Sequence, residues 1–100
     1  MLLQQGDVLL TGISKIPVNG KKLNHLTLAI GEATGHSHTI TKGKAELVES
    51  NKKWYLKVLS EEAILTHQEH KPIAIPKGEY EIGIVQEYNH FEEEIKNVRD

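Results

Sequence analysis

From Glu79 to Tyr88 the chain alternates: Tyr80, Ile82, Ile84, Gln86 and Tyr88 fall on one side of an extended backbone, Glu79, Glu81, Gly83, Val85 and Glu87 on the other. Successive side chains of a strand point to opposite faces, so this order predicts a β-strand with one face turned to a core. A lone strand is not stable in water, and the rest of the chain must supply its partners.

It does so in short runs cut by turn residues. Gly6 to Ile13 reads as a strand with Leu9, Thr11 and Ile13 on one face and Val8 and Leu10 on the other. Pro17-Val18-Asn19-Gly20 follows, and its Asn-Gly pair is a hairpin signal because both residues tolerate positive φ. Leu23 to Ile30 places Leu26, Leu28 and Ile30 opposite His25, Thr27 and Ala29. Lys42-Gly43-Lys44 turns the chain into Ala45 to Ser50, and Ser50-Asn51-Lys52-Lys53 turns it into Trp54 to Leu59, where Trp54, Leu56 and Val58 share a side. Glu61 to His67 suits a helical turn in composition, yet its shortness and its neighbours favour a strand. Pro72 and Pro76 bracket Ile73-Ala74-Ile75, and Lys77-Gly78 opens the alternating strand. In the tail, Phe91, Ile95 and Val98 lie at helical spacing, with Asn89 and Glu92 placed as a capping box. The expectation is an all-β, mainly antiparallel domain over residues 1–100, a small barrel or sandwich with a short C-terminal helix.

Composition narrows the function. A formal charge of −2 and a pI near 6.3 give no long-range positive field, so nucleic acid is not an expected partner. The N-terminus lacks a signal-peptide pattern and no run approaches membrane-spanning length, which points to a cytoplasmic protein with no membrane association. The absence of cysteine removes disulfides, thiolate metal sites and cysteine nucleophiles. Any metal must be held by nitrogen and oxygen.

Four of the six histidines fall in two short polar segments, Gly35-His36-Ser37-His38-Thr39 and Thr66-His67-Gln68-Glu69-His70-Lys71-Pro72. In an extended chain, residues two apart point the same way about 6.5 Å apart, so His36 and His38 can converge on one ion. Gly31 and Gly35 and the β-branched Thr39, Ile40 and Thr41 favour that extended reading. Zinc and similar divalent ions accept imidazole nitrogens, commonly three protein ligands with a water. His36, His38 and His70 meet that need, with His67 as an alternative or fourth ligand and Glu69, Glu46 and Glu81 as oxygen donors or proton carriers. The functional expectation is a divalent-metal site that, with a position left open, binds a small-molecule ligand or activates water. A pocket deep enough for chemistry would need subunits to combine in a homo-oligomer.

Two other readings stand beside it. One is a non-enzymatic interaction or structural module without metal, whose histidines are polar turn residues bonded to backbone carbonyls and whose strand edges or Trp54 and Tyr55 meet a partner. The other is metal-free acid–base chemistry on phosphodiesters by paired histidines, with Lys42, Lys44 or Lys71 holding the anion. No catalytic residue is assigned. His25 and His90 are read as structural or surface residues, and Gln86, polar on an apolar face, as a group that orients a histidine or satisfies backbone.

Gly31 to Glu46, with its glycine, its His36-x-His38 pair and a following glutamate, resembles the first signature of the cupins, small metal-binding β-barrels. Pro76-Lys77-Gly78 resembles the Pro-x-Gly of the second. The resemblance implies a barrel and makes His36 and His38 metal ligands; Glu46 lies farther past His38 than the family's glutamate does, and Glu81 stands where its last histidine would fall. Gly35-His36-Ser37-His38, His67-Gln68-Glu69-His70-Lys71-Pro72, Gly78-Glu79-Tyr80 and Gln86-Glu87-Tyr88 together also resemble a family of small bacterial or phage-encoded proteins to which no activity is attached.

Overall fold

The computed structural model describes residues 1–30 and 36–85. Eight antiparallel strands form one sheet: β1 (Leu2–Gln5), β2 (Val8–Ile13), β3 (Lys21–Lys22), β4 (Thr27–Ile30), β5 (Ser37–Lys42), β6 (Ala45–Ser50), β7 (Lys53–Thr66) and β8 (Ile73–Ile84). The main path runs β1-β2-β8-β7-β5-β4, and β6 also lies on β7 with β3 beyond it. The all-β, antiparallel expectation holds. The expected C-terminal helix, Gln86 and the Gly31–Gly35 turn lie outside the described residues.

Two long strands carry the sheet. β8 follows one edge of β7 for most of its length, while the other edge is shared: β6 pairs with Lys53 to Val58, β5 with Ile64 to Thr66. Between them the β7–β8 register shifts, because Val58 faces Gly78 and Glu62 faces Pro76, so β7 uses four residues where β8 uses two. Leu56 and Val58 are buried before the bulge, Ala63 and Leu65 after it, and Tyr80 then Ile75 on β8. The alternation thus restarts out of step in both strands. A bulge bends a strand and increases its twist, and here both halves face one core of Val8, Leu10, Leu28, Ile40, Leu47, Leu56, Val58, Ala63, Leu65, Ile75 and Tyr80. Full burial of a leucine or isoleucine is worth about 1.5–3 kcal/mol, and Leu10, Leu47, Leu56, Leu65 and Ile75 are each 0% exposed.

The turn Lys42-Gly43-Lys44 sits on the bulge. Gly43 has φ +91°, and a Cβ there would lie 2.5 Å from the Glu62 carbonyl. The Lys44 carbonyl accepts from the backbone N–H groups of Leu59 and Ser60, and the Ser60 hydroxyl accepts from the Lys44 N–H. The chain therefore passes from β5 to β6 where β7 changes neighbours.

Four expectations need correction. Among the described residues the sheet does not close into a barrel: β1 and β4 end the path, so the closed architecture that a cupin likeness implies is not what they form. The strand expected from Gly6 to Ile13 begins only at Val8, as β2, because Gly6-Asp7 is the two-residue turn that joins it to a further strand, β1, with Gly6 at φ +58°; glycine at the first central position suits the reversed twist of a tight hairpin. Pro17 to Gly20 forms a turn, closed by the Gly20 N–H on the Pro17 carbonyl at 3.3 Å, but not a hairpin. Neither Asn19 nor Gly20 has positive φ, and the β3 that follows pairs with β6. Finally, the extended strand expected from Leu23 is shorter, with β4 beginning at Thr27.

A candidate histidine site at the end of the sheet

The distal half of β7 brings the two histidine segments together. β5 pairs with it, Thr39 opposite Thr66 and Ile40 opposite Leu65, and the turn that carries His67 and His70 continues directly from its end. The extended reading holds for His38, on β5, with His36 immediately before the strand, and the inward alternation that buries Ile40 also buries His38, which is 1% exposed. His67 lies against it, ring centroids 4.3 Å apart. His70 follows at 4.7 Å from His67 and 6.0 Å from His38, and His36 stands edge-on to His67 at 5.5 Å. All four predicted histidines therefore gather at one end of the sheet.

Two glutamines hold this arrangement. The Gln5 side chain, 3% exposed as a residue, donates from Nε2 to the carbonyls of both Leu65 and Lys71 at 2.9 Å each. Its Oε1 meets His38 Nδ1 at 2.9 Å. Because both amide hydrogens are spent on carbonyls, Oε1 is the acceptor and His38 Nδ1 the donor. Gln68 Oε1 accepts from the Ser37 N–H at 2.9 Å and so ties the turn to the start of β5. The outward face beside the site carries hydroxyls: Thr39 Oγ1 lies 3.2 Å from Thr27 Oγ1 and 3.0 Å from Ser37 Oγ.

Carboxylates flank the rings. Asp7 Oδ1 is 3.4 Å from His38 Nε2, and Glu69 Oε2 is 3.7 Å from His36 Nδ1. Burial, reinforced by the neighbouring His67, holds the His38 pKa below its usual 6.5; Asp7 pulls the other way and His70 adds to the lowering. Neutral His38 with its proton on Nδ1 turns the Nε2 lone pair toward a carboxylate oxygen. His67 differs, since its Nδ1 accepts from the Glu69 N–H at 3.0 Å, which leaves the proton of the neutral ring on Nε2.

Glu46 and Glu81 are not brought to the histidines. Glu46 pairs with Lys22 at 3.3 Å and Glu81 with Lys53 at 3.2 Å, both beside the proximal half of β7. His25 lies by Trp54, ring centroids 5.6 Å apart. A cavity of about 270 Å³ lined by Lys22, Leu23, His25 and Glu46 includes none of the four clustered histidines. Among the described residues, no three His, Asp or Glu side chains stand ready to hold an ion, and no helix is long and apolar enough to cross a membrane. Gln5, Asp7 and Gln68 are the site residues that the sequence reading missed. Gly6-Asp7, a pair suited to a two-residue hairpin, was a local signal for the turn but not for what Gln5 and Asp7 would contact.

Fold and site together define a small, open, antiparallel β-sheet domain with an imidazole cluster at one end. A family model described as a domain of unknown function, DUF8820, matches residues 4–85, and the chain belongs to that family. The match spans all the clustered histidines together with Gln5 and Asp7. No curated protein and no solved structure matches the chain.

Proposed function

We propose that this protein binds a divalent metal ion of zinc-like preference through the cluster of His36, His38, His67 and His70. The observation that carries the reading is the meeting of the four rings from segments some thirty positions apart, with a buried His38 whose pKa burial holds low among them. Buried imidazole is a good ligand because it is already deprotonated where a metal needs it. Binding asks for rotation of His67 and His70, both on the turn after β7, since three donors do not yet face one point. The cupin-like His36-x-His38 spacing supports the same donor pair. A chain without cysteine fits the reducing cytoplasm, and a site with an open position would take a small ligand with oxygen or nitrogen donors.

Protein purified without a histidine tag should carry zinc or take it up stoichiometrically, and its melting temperature should rise with zinc and fall with chelator, because an ion that binds only the folded state stabilises it by mass action. His70→Ala, at an exposed position, should lose most of that rise while its metal-free melting temperature stays near wild type. No uptake and no thermal shift would remove the metal reading. The interaction-module reading would then gain: among the described residues β1 and β4 are open edges, and Leu2 on β1 is 64% exposed.

A further inference from the structure

Three consecutive residues of the β1–β2 hairpin act on the histidine cluster, each differently. Gly6 makes room: a Cβ at this position would sit 2.6 Å from His70 Nε2 and 3.2 Å from His38 Cε1, so both rings crowd into the space that a side chain would fill. Gln5 fixes one ring, by the fully committed amide that leaves only its carbonyl for His38 Nδ1. It also grips the backbone on both sides of the His67–His70 turn, at Leu65 and Lys71. Asp7, anchored through its carbonyl to the Val85 N–H at 2.8 Å, brings a carboxylate to the other nitrogen of the same ring.

The separation there is informative. A charge-assisted N–H···O bond closes to about 2.7–2.9 Å, and His38 Nε2 stands 3.4 Å from Asp7 Oδ1. Two ligands about 2.0–2.1 Å from a tetrahedral ion are separated by about 3.3–3.4 Å. With Nδ1 committed as donor to Gln5, Nε2 is the ring atom left to face the anionic oxygen, and a cation between the two would engage both. Metal-bound histidines characteristically donate their second ring N–H to a fixed acceptor, which orients the ring.

We propose that the hairpin is the third segment of the metal site: Asp7 is an oxygen ligand, and Gln5 is a positioning residue that presents His38 Nε2 to the ion. The inference rests on the metal reading above and adds the chemistry of the donor set, mixed nitrogen and oxygen. Such a set suits zinc or cobalt over magnesium or calcium, which prefer all-oxygen surroundings.

The test uses the whole untagged chain. In the metal-free protein above pH 7, ring ¹⁵N shifts should report His38 protonated on Nδ1; protonation on Nε2 would overturn the Gln5 role whatever the metal does. Cobalt titration followed by its visible absorption should give a tetrahedral-type spectrum in wild type, with affinity lower by about tenfold or more in Asp7→Asn. Wild-type binding with unchanged Asp7→Asn affinity would overturn Asp7 as ligand and leave the histidine reading standing. Absence of cobalt and zinc binding in wild type would defeat both. Asp7 is exposed, so the variant is expected to melt like wild type without metal, and that melt separates a ligand effect from unfolding.

Discussion

The two halves of β7 have the same neighbour on one side and opposite characters on the other. Proximally, Leu56 and Val58 pair with Leu47 and Ala45 of β6 and with Tyr80 and Gly78 of β8, and the buried layer they form is apolar. Distally, the inward layer contains His38 beside Ile40 and Leu65, and its order depends on side chains that reach backbone over long sequence distances, Gln5 above all. The first kind of order tolerates any apolar residue of suitable volume. The second is lost with one amide, because buried donors and acceptors are then left unpaired.

The largest test of that contrast is Leu56→Ala. It should cost about 3 kcal/mol in urea denaturation, the range for emptying a closed leucine site, while the histidine ring NMR signals keep their positions. Gln5→Leu should cost about 2 kcal/mol, since it strands the carbonyls of Leu65 and Lys71 and the His38 N–H, and it should move the signals of His38, His67 and His70 together. If Leu56→Ala disturbed the rings as strongly as Gln5→Leu, the two halves would not be separable.

Acidification should act on the distal half. The folded His38 has a pKa below the 6.5 of the unfolded chain, so below that pH the unfolded state binds more protons and stability falls. This contribution is complete above about pH 6.5 and lost as pH drops through the folded value. Melting of the metal-free protein between about pH 7.5 and 5 should show the loss, and His38→Asn should flatten it; an unchanged slope in that variant would place the proton elsewhere. The smallest effect belongs to the proximal end. Asn51 and Lys52 form its hairpin turn with φ of 53° and 67°, and Lys52→Gly should raise stability by about 0.5 kcal/mol by relieving a left-handed lysine, with no change in metal uptake.

The contrast also explains what the sequence made legible. Alternation identified the start of β7 and the main part of β8, β-branched residues identified β5, and turn residues marked out β6 between its neighbours. It divided β7 into two strands, Trp54 to Leu59 and Glu61 to His67, and read Ile73-Ala74-Ile75 apart from Glu79 onward, because the phase slip looks like a turn although hydrogen bonding resumes beyond it. His-x-His spacing led to the clustered rings, since His38 lies on a short strand with His36 just before its start, and the strand's neighbour follows from antiparallel order. Asp7 and Gln5 were hidden because their partners are sixty or more positions away for Leu65 and Lys71, and over thirty for His38. A glutamine before a glycine carries no local sign of what its amide will grip. Glu46 and Glu81 misled for the converse reason, as their spacing fits a motif while the register gives them lysines.

The slip between Val58 and Glu62 makes the molecule a garment with a seam, lining on one side becoming coat on the other. Removing one residue from Leu59 to Glu61 would reverse the far panel: Ala63 and Leu65 would turn out, Ile64 and Thr66 in, and β5 would have to follow its partner. His38 would then stand in water, with no carbonyl to hold it and no aspartate across from it. Insertions belong in the loops of this protein; that short stitch sets which residues the far end conceals.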